Sequence, residues 1–214
     1  MSIALIVPVL SRFDLFTRLM ASVDVPVHPY VIDNYDNNRG VSGAWNEGMD
    51  RAIADGHRYA IISNDDVEFR PGTIHKLYSA MINNNLVIVS ANQNVDSPEE
   101  SLLESADFYC FMVDMPKLLR VCGRFDQNFT PAYFEDNDMH RRIILAGLTT
   151  KIHAGAKAFH HGSATQNGTP GGPVTPPHQF EQNRAYFIRK WGGNPTQESF
   201  STPFDDPNKT IKDW

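Results

Sequence analysis

The chain has 214 residues, of which 41% are hydrophobic and 21% charged, and its formal net charge is -6. That length and apolar content suit a soluble globular protein with one full-sized core, and favour one α/β domain over two small ones. The acidic balance argues against a partner held mainly through its phosphates, which needs clustered Lys and Arg; a local basic groove stays open.

The N-terminal run up to Pro8 has no basic flank, and no apolar stretch approaches the roughly 20 residues that cross a bilayer. A cytoplasmic, unanchored protein is expected. Ile3 to Val7 reads as a buried strand, followed by a helix with Phe16, Leu19, Met20 and Val23 on one face. Tyr30 to Ile32 is the next strand and ends on Asp33 and Asn34. The turn from Asn37 to Gly43 offers Ser42 as the N-cap of a helix that carries Trp45, Met49, Ala52 and Ile53 inward.

Tyr59 to Ser63 is a third strand, with Asn64-Asp65-Asp66-Val67-Glu68 directly after it. Pro71 and Gly72 precede a helix striped with Ile74, Leu77, Tyr78, Met81 and Ile82, and Leu86 to Ser90 returns as a strand. Phe108 to Val113 reads as a strand, Pro116 to Val121 as a short helix, and Gly123 to Asp126 as a turn. Cys110 and Cys122 lie in or beside apolar segments without zinc-like spacing, and read as buried free thiols of a reducing compartment.

The helix that begins at Glu135 opens on Glu135, Asp136 and Asp138 and then buries Met139, Ile143, Ile144 and Leu148. Its dipole and free N–H groups favour those carboxylates, and Arg141 and Arg142 lie within one turn of Asp138. Lys151 to His160 predicts a strand leading into His160 and His161. The Gly-, Thr- and Pro-rich tract from Gly162 to Pro177 reads as a long loop, Gln179 to Trp191 as a helix, and the tail from Gly192 to Trp214 as extended. The alternation of strands and helices predicts a single α/β domain with a mostly parallel central sheet flanked by helices.

Three sets of residues carry candidate chemistry. Asp65 and Asp66 follow a buried strand, where open α/β sheets bind ligands, and such a pair suits a hard cation that keeps sites for phosphate oxygens. An Asp-rich turn satisfying its own backbone would look the same. Period-two alternation puts His160 on the face of Ala156 and Ala158 and turns His161 away, which makes His160 the better metal ligand. Glu135 and Asp136 form the third set, adjacent carboxylates that sequence cannot tell apart.

Taken together, and in order from about residue 3 to 192, these features resemble a small GT-A glycosyltransferase of the family-2, rhamnosyltransferase-like kind. The matching pieces are Ile6-Val7-Pro8, the strand ending in Asp33-Asn34, Asn38-Arg39-Gly40, Asn46-Glu47-Gly48, the DxD-like Asn64-Asp65-Asp66-Val67, and Gly123-Arg124-Phe125-Asp126. They continue with Glu135 through Gly147, His160 to Thr165, and Lys190-Trp191-Gly192.

The resemblance implies a GT-A domain over residues 1–192, with a nucleotide-sugar half to about residue 100, an acceptor and catalytic half from about 101, and an extended tail over 193–214. It assigns Pro8, Asp33, Asn38, Gly40, Asn46 and Asp65 to the nucleotide, with Asp33 on the base. Asp66 and His160 would hold Mn2+ or Mg2+ against the diphosphate. Asp136 would be the general base of an inverting transfer to a hydroxyl acceptor, with Glu135 as the alternative. Asn64 at the first DxD position weakens the ligand set.

A nucleotidyltransferase is a competing reading, but it calls for a Gly-rich basic phosphate loop, and Val9-Leu10-Ser11-Arg12 is a poor one. A non-catalytic nucleotide- or sugar-binding module on the same fold is another, weakened by the presence of every required carboxylate. The acceptor stays open between a glycan, a protein, a lipid-linked sugar and a modified base of nucleic acid.

Overall fold

The computed structural model describes residues 2–93, 101–162, 164 and 174–214. Its elements run β1 (Ile3–Val9), α1 (Phe13–Ala21), β2 (His28–Asp33), α2 (Gly40–Ala54), β3 (Tyr59–Ser63), β4 (Val67–Phe69), α3 (Thr73–Asn83) and β5 (Ile88–Asn92). β6 (Leu102–Glu104), β7 (Cys110–Asp114), α4 (Met115–Val121), α5 (Glu135–Leu145), β8 (Lys151–His160) and α6 (Pro177–Trp191) follow. No helix among the described residues is long and apolar enough to cross a membrane.

The strands lie in the order β2-β1-β3-β7-β5-β8-β4, with β6 also on β8. The expected α/β domain is present, and its sheet is mixed. β1 pairs in parallel with β2 and β3, and β5 with β8, whereas β7 runs antiparallel to both β3 and β5. A parallel neighbour needs a helical crossover. The described residues between β5 and β7 hold only the short strand β6, so β7 enters reversed.

Both sheet faces are covered, which is why the central strands are apolar without alternation. Ala4, Ile6, Ile62, Phe111 and Val113 join Trp45, Leu118, Met139 and Ile143 in one core, and Leu5, Val7, Ile61 and Met112 join Leu19, Ile74 and Leu77 in the other. A Cβ on Gly48 would come within 2.2 Å of Ile6 Cγ2, so only glycine lets α2 lie this close to β1. Cys110 and Cys122 are free and buried, as expected, and burial pushes both thiols above their ordinary range.

Several boundaries differ from the sequence reading. α2 starts at Gly40, so Ser42 is buried inside the first turn, and the N–H of Gly40 donates instead to Asn38 Oδ1 at 2.9 Å. The tail folds back onto the domain: the amides of Ser199 and Phe200 donate to Trp191 O at 3.1 and 3.0 Å, and that of Arg124 to Trp214 O at 3.2 Å. It contains one short 3-10 turn, Pro203–Asp205. The predicted 162–177 loop lies largely outside the described residues.

A buried ionic network fixes α5 against α6. Lys190 Nζ lies 2.8 Å from Asp126 Oδ2 and 2.7 Å from Asp138 Oδ1, and all three side chains are essentially inaccessible. Arg142 Nε donates to Asp138 Oδ2 at 2.8 Å, while Arg142 Nη1 donates to the carbonyls of Cys122 and Arg124. Trp191 Nε1 donates to Asp138 Oδ1 and the Tyr186 hydroxyl to Asp126 Oδ2. Removing one member of such a set strands the opposite charge without water. Lys190→Met is therefore expected to cost about 3–5 kcal/mol of unfolding free energy, read from urea denaturation.

Candidate active site

Because β7 is antiparallel to both its neighbours, β1, β2, β3, β5 and β8 all point the same way. Their carboxyl ends, together with the amino end of β7, share one edge of the sheet, where open α/β sheets bind ligands. A cleft of about 400 Å³ opens there, lined by Pro8, Asn34, Asn38, Asn64, Asp65, Asp66, Gln93, Asp107, Tyr109, Tyr133, Glu135, Asp136 and His160, among others.

The metal candidates meet because of β4, a three-residue strand too short to show in the sequence. It pairs antiparallel with β8 and sets Val67 opposite His160. His160 Nε2 then lies 3.1 Å from Asp66 Oδ1, and the amide of Ala164 donates to Asp66 Oδ2 at 3.1 Å. Burial alone would raise the Asp66 carboxyl, but His160 and that amide outweigh it and hold the group below the ordinary aspartate range. Tyr109 stacks on the His160 ring at 4.8 Å and 14°, fixing the plane of the imidazole. His161 faces away from the cleft, with Nε2 2.9 Å from Glu68 Oε1.

Glu135 and Asp136 enter the cleft from the first turn of α5. Tyr133 and Phe134 before them both have left-handed backbones, with φ of 79° and 75°. The helix is anchored by the buried side chains of Asp138, Met139, Arg142 and Ile143. Glu135 Oε2 is buried without a hydrogen-bond partner among the described residues, and Asp136 Oδ1 accepts from the Asn137 amide at 2.8 Å. Burial, reinforced by the neighbouring Asp136 charge, pushes the Glu135 carboxyl up to about 8. Burial raises Asp136 as well, opposed by the Asn137 amide and His140.

The other residues singled out from sequence fall in different places. Pro8, Asn38 and Asp65 line the cleft. Asp33 is exposed at the end of β2, accepting from the Tyr35 amide at 2.8 Å, and its neighbour Asn34 is the one that turns into the cleft wall. Gly40 lies behind the wall at φ +72°, where a Cβ would be 3.0 Å from Pro131 O. Asn46 is buried away from the cleft: its Nδ2 donates to Phe125 O at 2.8 Å and its Oδ1 accepts from Phe125 N at 3.0 Å. Asn34, Gln93, Asp107, Tyr109 and Tyr133 were not singled out. Only the direction of β7 brings Asp107 and Tyr109 to this edge, and no local pattern reports it.

Among the described residues no set of three or more His, Cys, Asp or Glu side chains converges into a metal cage. The Asp66–His160 pair offers one carboxylate and one imidazole. That set fits an ion such as Mn2+ or Mg2+, which completes its shell with water and phosphate oxygens from outside the protein.

The family model described as glycosyl transferase family 2 matches residues 29–145, more than half of the chain. No curated protein matches it. Among solved structures, the catalytic domain of Drosophila β1,4-galactosyltransferase 7 in complex with xylobiose is similar at 16% identity, with 96% of this chain and 83% of that chain covered and a TM-score of 0.62. A mutant of the same enzyme in complex with manganese, UDP-Gal and xylobiose gives 16% identity, the same coverage of 96% and 83%, and a TM-score of 0.61. S. aureus TarS 1–349 gives 12% identity and a TM-score of 0.57, over 75% of this chain and 60% of that one, so the chain spans less than two thirds of that protein. At such identities these neighbours establish the fold, a GT-A domain, and the family model supplies the rest: the chain belongs to glycosyl transferase family 2.

Proposed function

We propose that the protein transfers a hexose-type sugar, in the manner of the rhamnosyltransferase-like enzymes, from a nucleotide-diphosphate donor to a hydroxyl acceptor, with inversion at the anomeric carbon and the help of Mn2+ or Mg2+. The observation that carries this reading is the meeting of two acidic sets in one cleft, Asp66 with His160 at the sheet edge and Glu135 with Asp136 at the start of α5. Direct displacement needs a diphosphate holder and a base in one site. A cytoplasmic setting belongs to the same reading, supported by the free cysteines.

Asp66 and the His160 imidazole would hold the ion, which when bound supplies Lewis-acid stabilisation of the departing diphosphate. Pro8, Asn34, Asn38 and Asp65 would line the nucleotide side, with Asp33 on the rim near the base. Two adjacent buried carboxylates resist ionising together. We assign the proton at neutral pH to Glu135, whose carboxyl burial and the neighbouring Asp136 charge push up to about 8, and the anion to Asp136, whose Oδ1 accepts from the Asn137 amide. Asp136 is therefore the group that takes the acceptor's proton. A nucleotidyltransferase is less well supported, because Arg12, the one basic residue after β1 and before α1, is tied to Asp14 at 2.9 and 2.7 Å.

Turnover of a panel of UDP-, GDP- and dTDP-sugars, with and without manganese, tests the whole reading; a protein that consumes none of them is not this enzyme. In calorimetry, UDP or GDP is expected to bind more tightly with manganese, and Asp66→Ala to abolish that gain. Asp136→Asn should cut turnover by about 100-fold or more while donor affinity stays near that of the parent. If Asp136→Asn stays active and Glu135→Gln is dead, the base is Glu135.

The raised Glu135 carboxyl also makes stability depend on pH. Between its ordinary value of 4.5 and about 8, the folded state keeps a proton that the unfolded state has released. The Glu135 contribution to stability is then full below pH 4.5 and is lost as pH rises to about 8. Glu135→Gln should melt higher than the parent at pH 9, with a smaller difference at pH 5, in thermal scans.

A further inference from the structure

The acceptor side of the cleft contains an exposed aromatic ring on a rigid base. Tyr133 is 37% exposed, although it lines the cleft and directly precedes the Phe134-Glu135-Asp136 run. Its backbone sits at φ 79°, and that of Phe134 at 75°, a conformation that costs bulky residues energy and persists only where the surroundings impose it.

Here the surroundings do impose it. The carbonyl of Pro131 accepts from the Val41 amide at 2.8 Å, at the first turn of α2. Those of Ala132 and Tyr133 accept from Asn183 Nδ2 of α6 at 2.8 and 3.3 Å. Three successive peptide groups are thus pinned between two helices. Phe180 braces the Tyr133 ring at 5.4 Å and 70°, and among the described residues no other ring packs on it.

A pinned, exposed ring beside polar groups with unused capacity is what a pyranose requires. One face of such a sugar is a patch of C–H bonds that packs on the electron-rich face of an aromatic ring, while its rim of hydroxyls needs hydrogen-bond partners. Glu135 supplies a second, independent sign of a polar ligand: it is 7% exposed, lines the same cleft, and has an Oε2 without a partner among the described residues. A flat nucleobase could also stack on Tyr133. A nucleic-acid acceptor would bring a run of phosphates, beyond the single diphosphate that one metal ion can neutralise, onto a chain of net charge -6.

We infer that Tyr133 is the stacking platform for the acceptor and that the acceptor is a carbohydrate, with one ring on Tyr133 and its reactive hydroxyl directed to the Glu135–Asp136 pair. This rests on the transferase reading above, and the two fail separately.

The test uses the full chain, the radiolabelled nucleotide sugar that it turns over fastest, and a printed array of oligosaccharides, serine- and threonine-containing peptides and single-stranded oligonucleotides. Label is expected on oligosaccharides. Asn tolerates the left-handed backbone, so Tyr133→Asn removes the ring with least disturbance to the fold. It should raise the KM for the labelled oligosaccharide by about 10-fold, whereas Tyr133→Phe, which keeps the ring, should stay close to the parent.

Label on peptides or oligonucleotides but on no glycan overturns the inference, as does an unchanged KM in Tyr133→Asn. If Tyr133→Asn melts early, saturation-transfer NMR on the parent protein decides: ring C–H protons of the bound oligosaccharide must saturate from the aromatic resonances, and their silence overturns it. Failure to consume any donor is instead a failure of the transferase reading.

Discussion

The position of α5 depends on one buried cation. Lys190 Nζ joins Asp126, from the turn before α5, to Asp138, in the first turn of α5, and sits 3.4 Å from the centre of the Trp214 ring. Arg142 satisfies the other oxygen of Asp138 and ties it to the carbonyls of Cys122 and Arg124. Each charge here has lost its water, so the geometry has to be good on all sides at once, and alternatives with a displaced helix leave an ion unpaired. Such a network stabilises less by its net energy than by excluding other arrangements.

That rigidity matters because the neighbouring residues are unfavourable by themselves. Glu135 and Asp136 are adjacent carboxyls with little water, and burial raises both. Left to relax, the start of α5 would turn them outward. Asp138, two residues on, cannot follow, since it is held by Lys190, Trp191 and Arg142. Strain at the site is thus balanced by satisfied charge beneath it, a division of labour common where function needs groups that folding alone would expel.

The sequence was most informative where a signal is local. The apolar runs, the acidic start of α5 and the facing of His160 can each be read from a few neighbouring residues. It was less informative where the meaning of a residue depends on distant partners. Asp138 and Arg142 look like a surface pair at i and i+4, yet both are fully buried, because α6 and the tail cover them. Asn46, matched to a nucleotide motif, spends its amide on Phe125, a contact 79 residues away. Asp33 and Asn34 differ by one position, and the pleat decides which of them faces the cleft. β4 and the reversal of β7 were invisible because three residues carry no periodicity and strand direction leaves no local trace.

The pairing of β4 with β8 also works as a register lock. On one side of the ladder Asp66 meets His160, and on the other Glu68 meets His161, so the same alignment satisfies both histidines. Successive side chains of a strand point to opposite faces, and a slip of one residue would carry His161 toward the cleft and His160 toward solvent. Two adjacent histidines would otherwise make that slip easy to tolerate. The outward pair, which touches no part of the cleft, therefore settles which imidazole the cleft receives.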